Sequence, residues 1–141
     1  MSSDTSAKRQ SLPRDAEGHL SRRSEHLDSS VLQFNLREEI EALRREPGYA
    51  SAGRVAKQLA KHDSLRCTLV VIHAGAHISE HVAHGEAAIH VLEGRIRMQM
   101  PGQAAVLDAG NMIVLGNDVK HDVTAEVDSA FVATIAVSSG K

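Results

Sequence analysis

The chain has 141 residues, a formal net charge of -2 and only 2% aromatic residues, with no tryptophan. That length fits one domain, and its core must be built from Val, Ile, Leu and Ala side chains. The scarcity of aromatic rings and the lack of a basic field disfavour a nucleic-acid partner. No apolar stretch approaches the roughly 20 residues of a bilayer span, and a single cysteine, Cys67, excludes an intrachain disulfide. We therefore expect a cytoplasmic protein with neither a nucleic-acid nor a membrane partner.

Residues 1–30 form the first compositional segment. They contain eight serines, five basic residues and five acidic residues, and few large apolar side chains. Such a segment buries too little surface to offset its ordering entropy. We predict a flexible, disordered N-terminal tail, and its balanced charge argues against a nucleic-acid-binding arm.

Residues 31–53 are predicted to hold a short N-terminal α-helix and a linker. Asn35 stands three residues before Glu38, which is capping-box spacing with Asn in place of Ser or Thr. The following apolar residues repeat on one helical face, and a Pro-Gly pair is expected to end the helix. Those apolar residues are Leu36, Ile40 and Leu43, and the pair is Pro47-Gly48.

The sequence pattern of residues 54–141 is typical of an all-β domain. Short runs rich in Val, Ile, Leu and Thr alternate with turns that contain Gly, Asp or Asn. Because no βαβ rhythm appears, the pattern indicates an antiparallel sandwich or barrel rather than a parallel sheet. Strands are predicted at residues 54–60, 65–73, 78–82, 87–93, 95–100, 104–108, 112–115, 119–125 and 130–137.

Histidine is the one residue in excess, with nine in the chain. Imidazole and carboxylate groups suit a divalent transition metal such as Zn, Fe, Mn, Ni or Cu. Two antiparallel strands of a barrel can bring such groups together from distant parts of the sequence. The candidates are His73, His77, His81, His84 and His90, with Glu86 among them, and His121 about thirty residues later.

The spacing of these residues resembles the two motifs of the cupin superfamily. Gly75 is followed by five residues and then His81, and the first motif ends at Val91-Leu92-Glu93-Gly94. Gly110 begins the second motif, and His121 stands where that motif has its histidine. The resemblance covers residues 54–137 and implies a small single-domain cupin, a β-barrel or jelly roll with its site inside the barrel mouth.

The first motif departs from the family pattern at two positions. Ala83 stands where the pattern has a second histidine, and Ala87 stands where it has glutamate. His84 and Glu86 are each displaced by one residue, and a bulge or tight turn at Gly85 would re-aim both side chains. The predicted metal ligands are therefore His81 and His121, completed by His84 or Glu86. The alternative interpretation places His84 and Glu86 on a surface loop.

The other histidines are less favoured as site residues. His77 is a candidate mouth residue or, alternatively, a solvated edge residue. His73 shares parity with Leu69 and Val71, so we expect its side chain to point into the barrel. His90 is expected on the opposite face from its strand neighbours.

Two further features have mainly structural interpretations. Arg95 and Arg97 project from one strand face, as a carboxylate clamp or, more simply, as a solvated surface. Cys67 is predicted to be a small buried hydrophobe.

Two functions fit these observations. One is a metal-dependent cupin enzyme acting on a small organic molecule; the superfamily includes dioxygenases, isomerases and decarboxylases, so the resemblance does not select a reaction. The other is a non-enzymatic barrel that binds or senses a small ligand without a functional metal. Because exposed edge strands invite pairing, and cupins generally associate, we also expect a homodimer.

Overall fold

The computed structural model describes residues 27–137. Positions 1–26 of the predicted tail lie outside the described residues. Every helix and strand described below lies in the unit that begins at Gln33. No helix among residues 27–137 is long and apolar enough to cross a membrane.

In the part of the chain that the structure describes, two helices precede the strands. Helix α1 spans Leu36–Arg44, and the Oδ1 atom of Asn35 accepts a hydrogen bond from the backbone N–H of Glu38 at 3.1 Å, as capping-box spacing predicts. Helix α2 spans Pro47–Ala52 and ends at Gly53, which has a φ of 81°. Helix α1 ends before Pro47-Gly48, as predicted, and the segment predicted as a linker contains α2, because proline is suited to the first turn of a helix.

Nine antiparallel strands make up the rest of residues 27–137, and all nine were predicted. They form a five-stranded sheet of order β1-β2-β9-β4-β7 and a four-stranded sheet of order β3-β8-β5-β6. This is the expected all-β sandwich of jelly-roll type. The strands are β1 Arg54–Lys61, β2 Leu65–Ile72, β3 His77–His81, β4 Gly85–Glu93, β5 Arg95–Met100, β6 Gln103–Asp108, β7 Met112–Leu115, β8 His121–Ala125 and β9 Ser129–Val137.

The main core fills the space between the two sheets. Strand β5 shows the expected alternation, with Ile96, Met98 and Met100 buried while Arg95 and Arg97 are exposed. Aliphatic residues of the other strands complete this core, with Phe131 as its one aromatic ring. Burial of each large side chain contributes about 1.5–3 kcal/mol, so the aliphatic composition is sufficient for a packed interior.

A second apolar cluster covers the outer face of the larger sheet. Ile40 and Leu43 of α1 pack over Leu69 and Val71 of β2 and over Ala130 of β9. Consequently β2 is buried on both faces along Leu69–Ile72, which accounts for the unbroken apolar run in its sequence. The apolar face of α1 is therefore buried within its own domain.

Cys67 lies at the margin of this second cluster. It is half-buried and packs against the cluster, with its Sγ atom 3.7 Å from Oγ1 of Thr134. Its apolar contacts agree with the predicted packing role, but the side chain is half-buried rather than buried.

Candidate functional site

His81 and His121 lie side by side on neighbouring strands. They are register partners in the β3–β8 pair, and their ring centroids are 4.3 Å apart. His121 is 4% exposed and shares the inner face of β8 with Val123, a core residue, whereas His81 is exposed. The pair therefore spans the boundary between the barrel interior and solvent.

A β-bulge in β3 brings His81 to this position. Ile78 pairs with Val123 and His81 pairs with His121, so three steps along β3 match two along β8. Ile78 packs against the main core. In a regular strand a residue three positions further on would face the other way, but the extra residue of a bulge restores the inward direction.

Hydrogen bonds fix the same tautomer in both rings. Nδ1 of His81 lies 2.9 Å from the carbonyl oxygen of Ser79, and Nδ1 of His121 lies 3.0 Å from that of Val119. Because a carbonyl oxygen only accepts, Nδ1 carries the proton in each neutral ring and Nε2 has a free lone pair. Metal-ligating histidines commonly use this arrangement, since the Nδ1–H bond orients the ring. The pair thus offers two oriented Nε2 donors.

The fold, the motif spacing and this histidine pair agree with one family, and residues 68–137 match the Cupin domain family. The chain belongs to the cupin superfamily. No curated protein matches it.

Solved structures with the same fold come from proteins of different kinds. A conserved protein of unknown function from Streptococcus pyogenes is 17% identical, with a TM-score of 0.59, over 63% of this cupin and 78% of that chain. KdgF from Halomonas sp. is 23% identical, with a TM-score of 0.55, over 67% and 84%. A salicylate 1,2-dioxygenase from Pseudoaminobacter salicylatoxidans is 18% identical, with a TM-score of 0.67, over 82% of this cupin and 39% of that chain. At these identities the similarity shows the fold alone.

The structure does not bring Glu86 or His84 into a cluster with the histidine pair. Glu86 is exposed between the buried residues Gly85 and Ala87, so it faces outward from β4. The side chain of His84 is 84% exposed, and its Nδ1 lies 3.8 Å from Oδ1 of Asp118. Across residues 27–137 no three His, Cys, Asp or Glu side chains are grouped so as to hold a metal ion.

The bulge that was one alternative for Gly85 does not form there. Strand β4 keeps regular register with β9 from Gly85 to Val91, and its bulge lies between Val91 and Glu93. Because the register is regular, Glu86 lies on the outward face of β4. Ala87, at the motif position of glutamate, is 4% exposed and inward-facing. The inward position thus carries a methyl group in place of a carboxylate.

The expectation that His73 points into the barrel is wrong. Its ring packs against Tyr49, with centroids 5.7 Å apart, and its Nε2 lies 4.0 Å from Oδ1 of Asp128. Leu69 and Val71, whose parity it shares, face the helix rather than the space between the sheets. In a strand buried on both faces, apolarity does not reveal which side is the interior.

His77 and His90 lie on outer faces. His77 is exposed, and its Nδ1 lies 2.8 Å from Oγ1 of Thr124. That position matches the solvated-edge alternative for His77. His90 is exposed between the buried residues Ile89 and Val91, as predicted.

Arg95 has a partner within its own sheet. Its Nε donates to Oδ1 of Asp108 at 2.7 Å, and this hydrogen bond raises the pKa of Arg95. Arg95 and Arg97 are both on the exposed face of β5, away from the histidine pair on the inner face. The arrangement fits the solvated-face interpretation better than a carboxylate clamp for the site.

Two backbone groups that contribute to the site were not predicted from the sequence. The carbonyl oxygens of Ser79 and Val119, each two residues before a site histidine, orient the rings. Every residue has such a carbonyl, so no residue type marks them. Only the recurring offset of two residues, visible once the structure is known, would have indicated them.

Proposed function

We propose that this cupin binds a divalent transition metal ion through Nε2 of His81 and Nε2 of His121 and presents it to a small organic molecule. The single observation that carries the proposal is the matched orientation of the two rings, each with its Nδ1–H on a backbone carbonyl. Zn, Fe, Mn, Ni or Cu would suit imidazole donors. Bound there, the metal would supply Lewis-acid or redox chemistry. We further propose a cytoplasmic location, which the single unpaired Cys67 supports.

The donor set fits such an ion only in part. Two imidazoles supply two ligands, whereas protein metal sites usually have three or four. A second candidate function, a metal-free barrel that binds a small ligand, is favoured by the alanines at both remaining motif positions. In that case the two Nε2 atoms would accept hydrogen bonds from donors on the ligand.

Metal content decides between the candidates. Protein without an affinity tag, grown with added Fe, Mn, Ni and Zn, is expected to carry metal near one equivalent. His121→Ala should lose that metal, while His90→Ala, which removes an exposed histidine from an outer face, should retain it. A wild-type protein that elutes metal-free and takes up none on titration would overturn the metal proposal and leave the ligand barrel.

A further inference from the structure

Strand β7 lacks the features that normally protect the edge of a sheet. The strands at the ends of the two sheets are β1, β7, β3 and β6. Exposed edges generally have charged side chains or a bulge that prevents pairing with another chain. Within residues 27–137, β1 has three basic residues, β3 has a bulge and Glu80, and β6 ends in Asp108. Strand β7 keeps a regular register with β4, and residues 109–117 contain no charged residue.

The outer face of β7 is apolar and open to solvent. Met112 is 61% exposed and Val114 is 65% exposed, and both lie on this face of the strand. The other large apolar residues that are exposed in the described part of the chain occur singly, each on a different strand or loop. Apolar side chains grouped at a surface favour contact with another protein chain.

The backbone of β7 offers hydrogen-bonding groups at the same edge. In an antiparallel ladder, alternate residues bond to one neighbouring strand, and the residues between them face the other way. The N–H of Val91 donates to the carbonyl oxygen of Asn111 at 3.0 Å, so the backbone groups of Asn111 and Ile113 face β4. Those of Met112 and Val114 therefore point away from β4, to the side where no described strand lies.

We infer that β7 pairs antiparallel with β7 of a second copy of this chain, about a two-fold axis at Ile113. In that register Met112 lies opposite Val114 of the partner subunit, and the two residues exchange both of their backbone hydrogen bonds. Their side chains form one continuous apolar row across the interface. Ile113 lies opposite the partner subunit's Ile113 in a pair without hydrogen bonds, in which the Cα atoms are about 4.5 Å apart.

Charge and area support a second copy as the occupant of this edge. Both edge-facing residues find a matching residue in the same strand of the second copy, and self-pairing places no like charges opposite each other, because residues 109–117 are uncharged. A stable interface buries about 800 Å² per partner, whereas β7 has four residues. The dimer should therefore be weak, with a Kd in the micromolar range. The inference involves neither the histidine pair nor a metal ion, so its failure leaves the proposed function intact.

Sedimentation of the full chain over a concentration series from about 2 to 200 μM tests the inference. The wild type should pass from monomer to dimer within the series. Val114→Lys places an ammonium group in each half of the apolar row and should raise the Kd about tenfold or more. Val106→Lys is the matched control, since it makes the same change at an exposed valine of the edge strand β6, and it should leave the Kd unchanged.

Cross-linking tests the register. Ile113→Cys places two thiols opposite each other at a Cα separation that suits a disulfide, so oxidised glutathione should produce a covalent dimer. The wild type is the control, because its single cysteine, Cys67, lies on β2, which β9 and β4 separate from β7; it should remain free of covalent dimer. If Ile113→Cys fails to fold, the comparison of Val114→Lys with Val106→Lys still decides.

Three outcomes would overturn the inference. The first is a wild-type protein that stays monomeric across the whole series. The second is a dimer that Val114→Lys leaves as intact as Val106→Lys does, because another face then forms the contact. The third is a dimer that is lost when residues 1–26 are deleted, because that segment then supplies the contact.

Discussion

Gly94, at the turn between β4 and β5, is a position where a single added methyl group should strongly destabilise the fold. It has a φ of 82°, and a Cβ atom there would lie 2.8 Å from Cα of Ser129 and overlap both the carbonyl oxygen of Asp128 and Oγ of Ser129. Two of these three contacts are with backbone atoms, so no side-chain rotation relieves them. Gly94→Ala must therefore displace the start of β9 or distort the turn.

The size of the effect follows from what Ser129 holds in place. Ser129 is fully buried; its Oγ accepts a hydrogen bond from the N–H of Arg95 at 2.9 Å and lies 2.7 Å from the carbonyl oxygen of Val127, to which it donates. A residue with Cβ in left-handed conformation costs about 1–2 kcal/mol, and a buried group left unpaired costs about 1–3 kcal/mol. We expect Gly94→Ala to lower the free energy of unfolding by about 2–5 kcal/mol.

Gly102→Ala is the matched control, since Gly102 has a φ of 75° but no atom within 4 Å of the new Cβ. It should cost only the conformational part, about 1–2 kcal/mol. Urea unfolding of both variants, with equal m-values, measures the difference. Equal losses in the two variants would show that the close approach to Ser129 contributes nothing and would refute the reasoning.

Three further predictions concern the helix, the assembly and the tail. Asn35→Ala removes the acceptor for the N–H of Glu38 and should lower the free energy of unfolding by about 1 kcal/mol; Asn35→Ser, which keeps a cap, should lose much less, and equal losses would contradict a capping role. The protein is expected to be a homodimer at micromolar concentration, because the sheets end in edge strands; a monomeric mass by light scattering would count against this. Deletion of residues 1–30 should leave Tm nearly unchanged, and a fall equivalent to several kcal/mol would show that this segment stabilises the fold.

Much of the architecture follows from local patterns. Alternation of polar and apolar residues predicted β5 with its correct faces, and the Asn35–Glu38 spacing predicted the start of α1. These features depend on neighbours within one strand or one helical turn, so a short stretch of sequence contains the required information. Motif spacing likewise predicted the His81–His121 pair, because each motif sets one histidine at the beginning or end of a strand.

Those local patterns do not show which way a side chain points in the tertiary structure. The run Leu69–Ile72 is apolar at every position, so only the packing of α1 shows that Leu69 and Val71 face outward and that His73 lies beside Tyr49. The side chain of His81 faces His121 because β3 has a bulge where it pairs with β8. The side chain of Glu86 points outward because β4 keeps a regular register with β9. A bulge is a relation between two paired strands, and one strand's residues do not specify it. The sequence by itself therefore determined the strands and the two site histidines, whereas the pairing of strands decided which other side chains reach them.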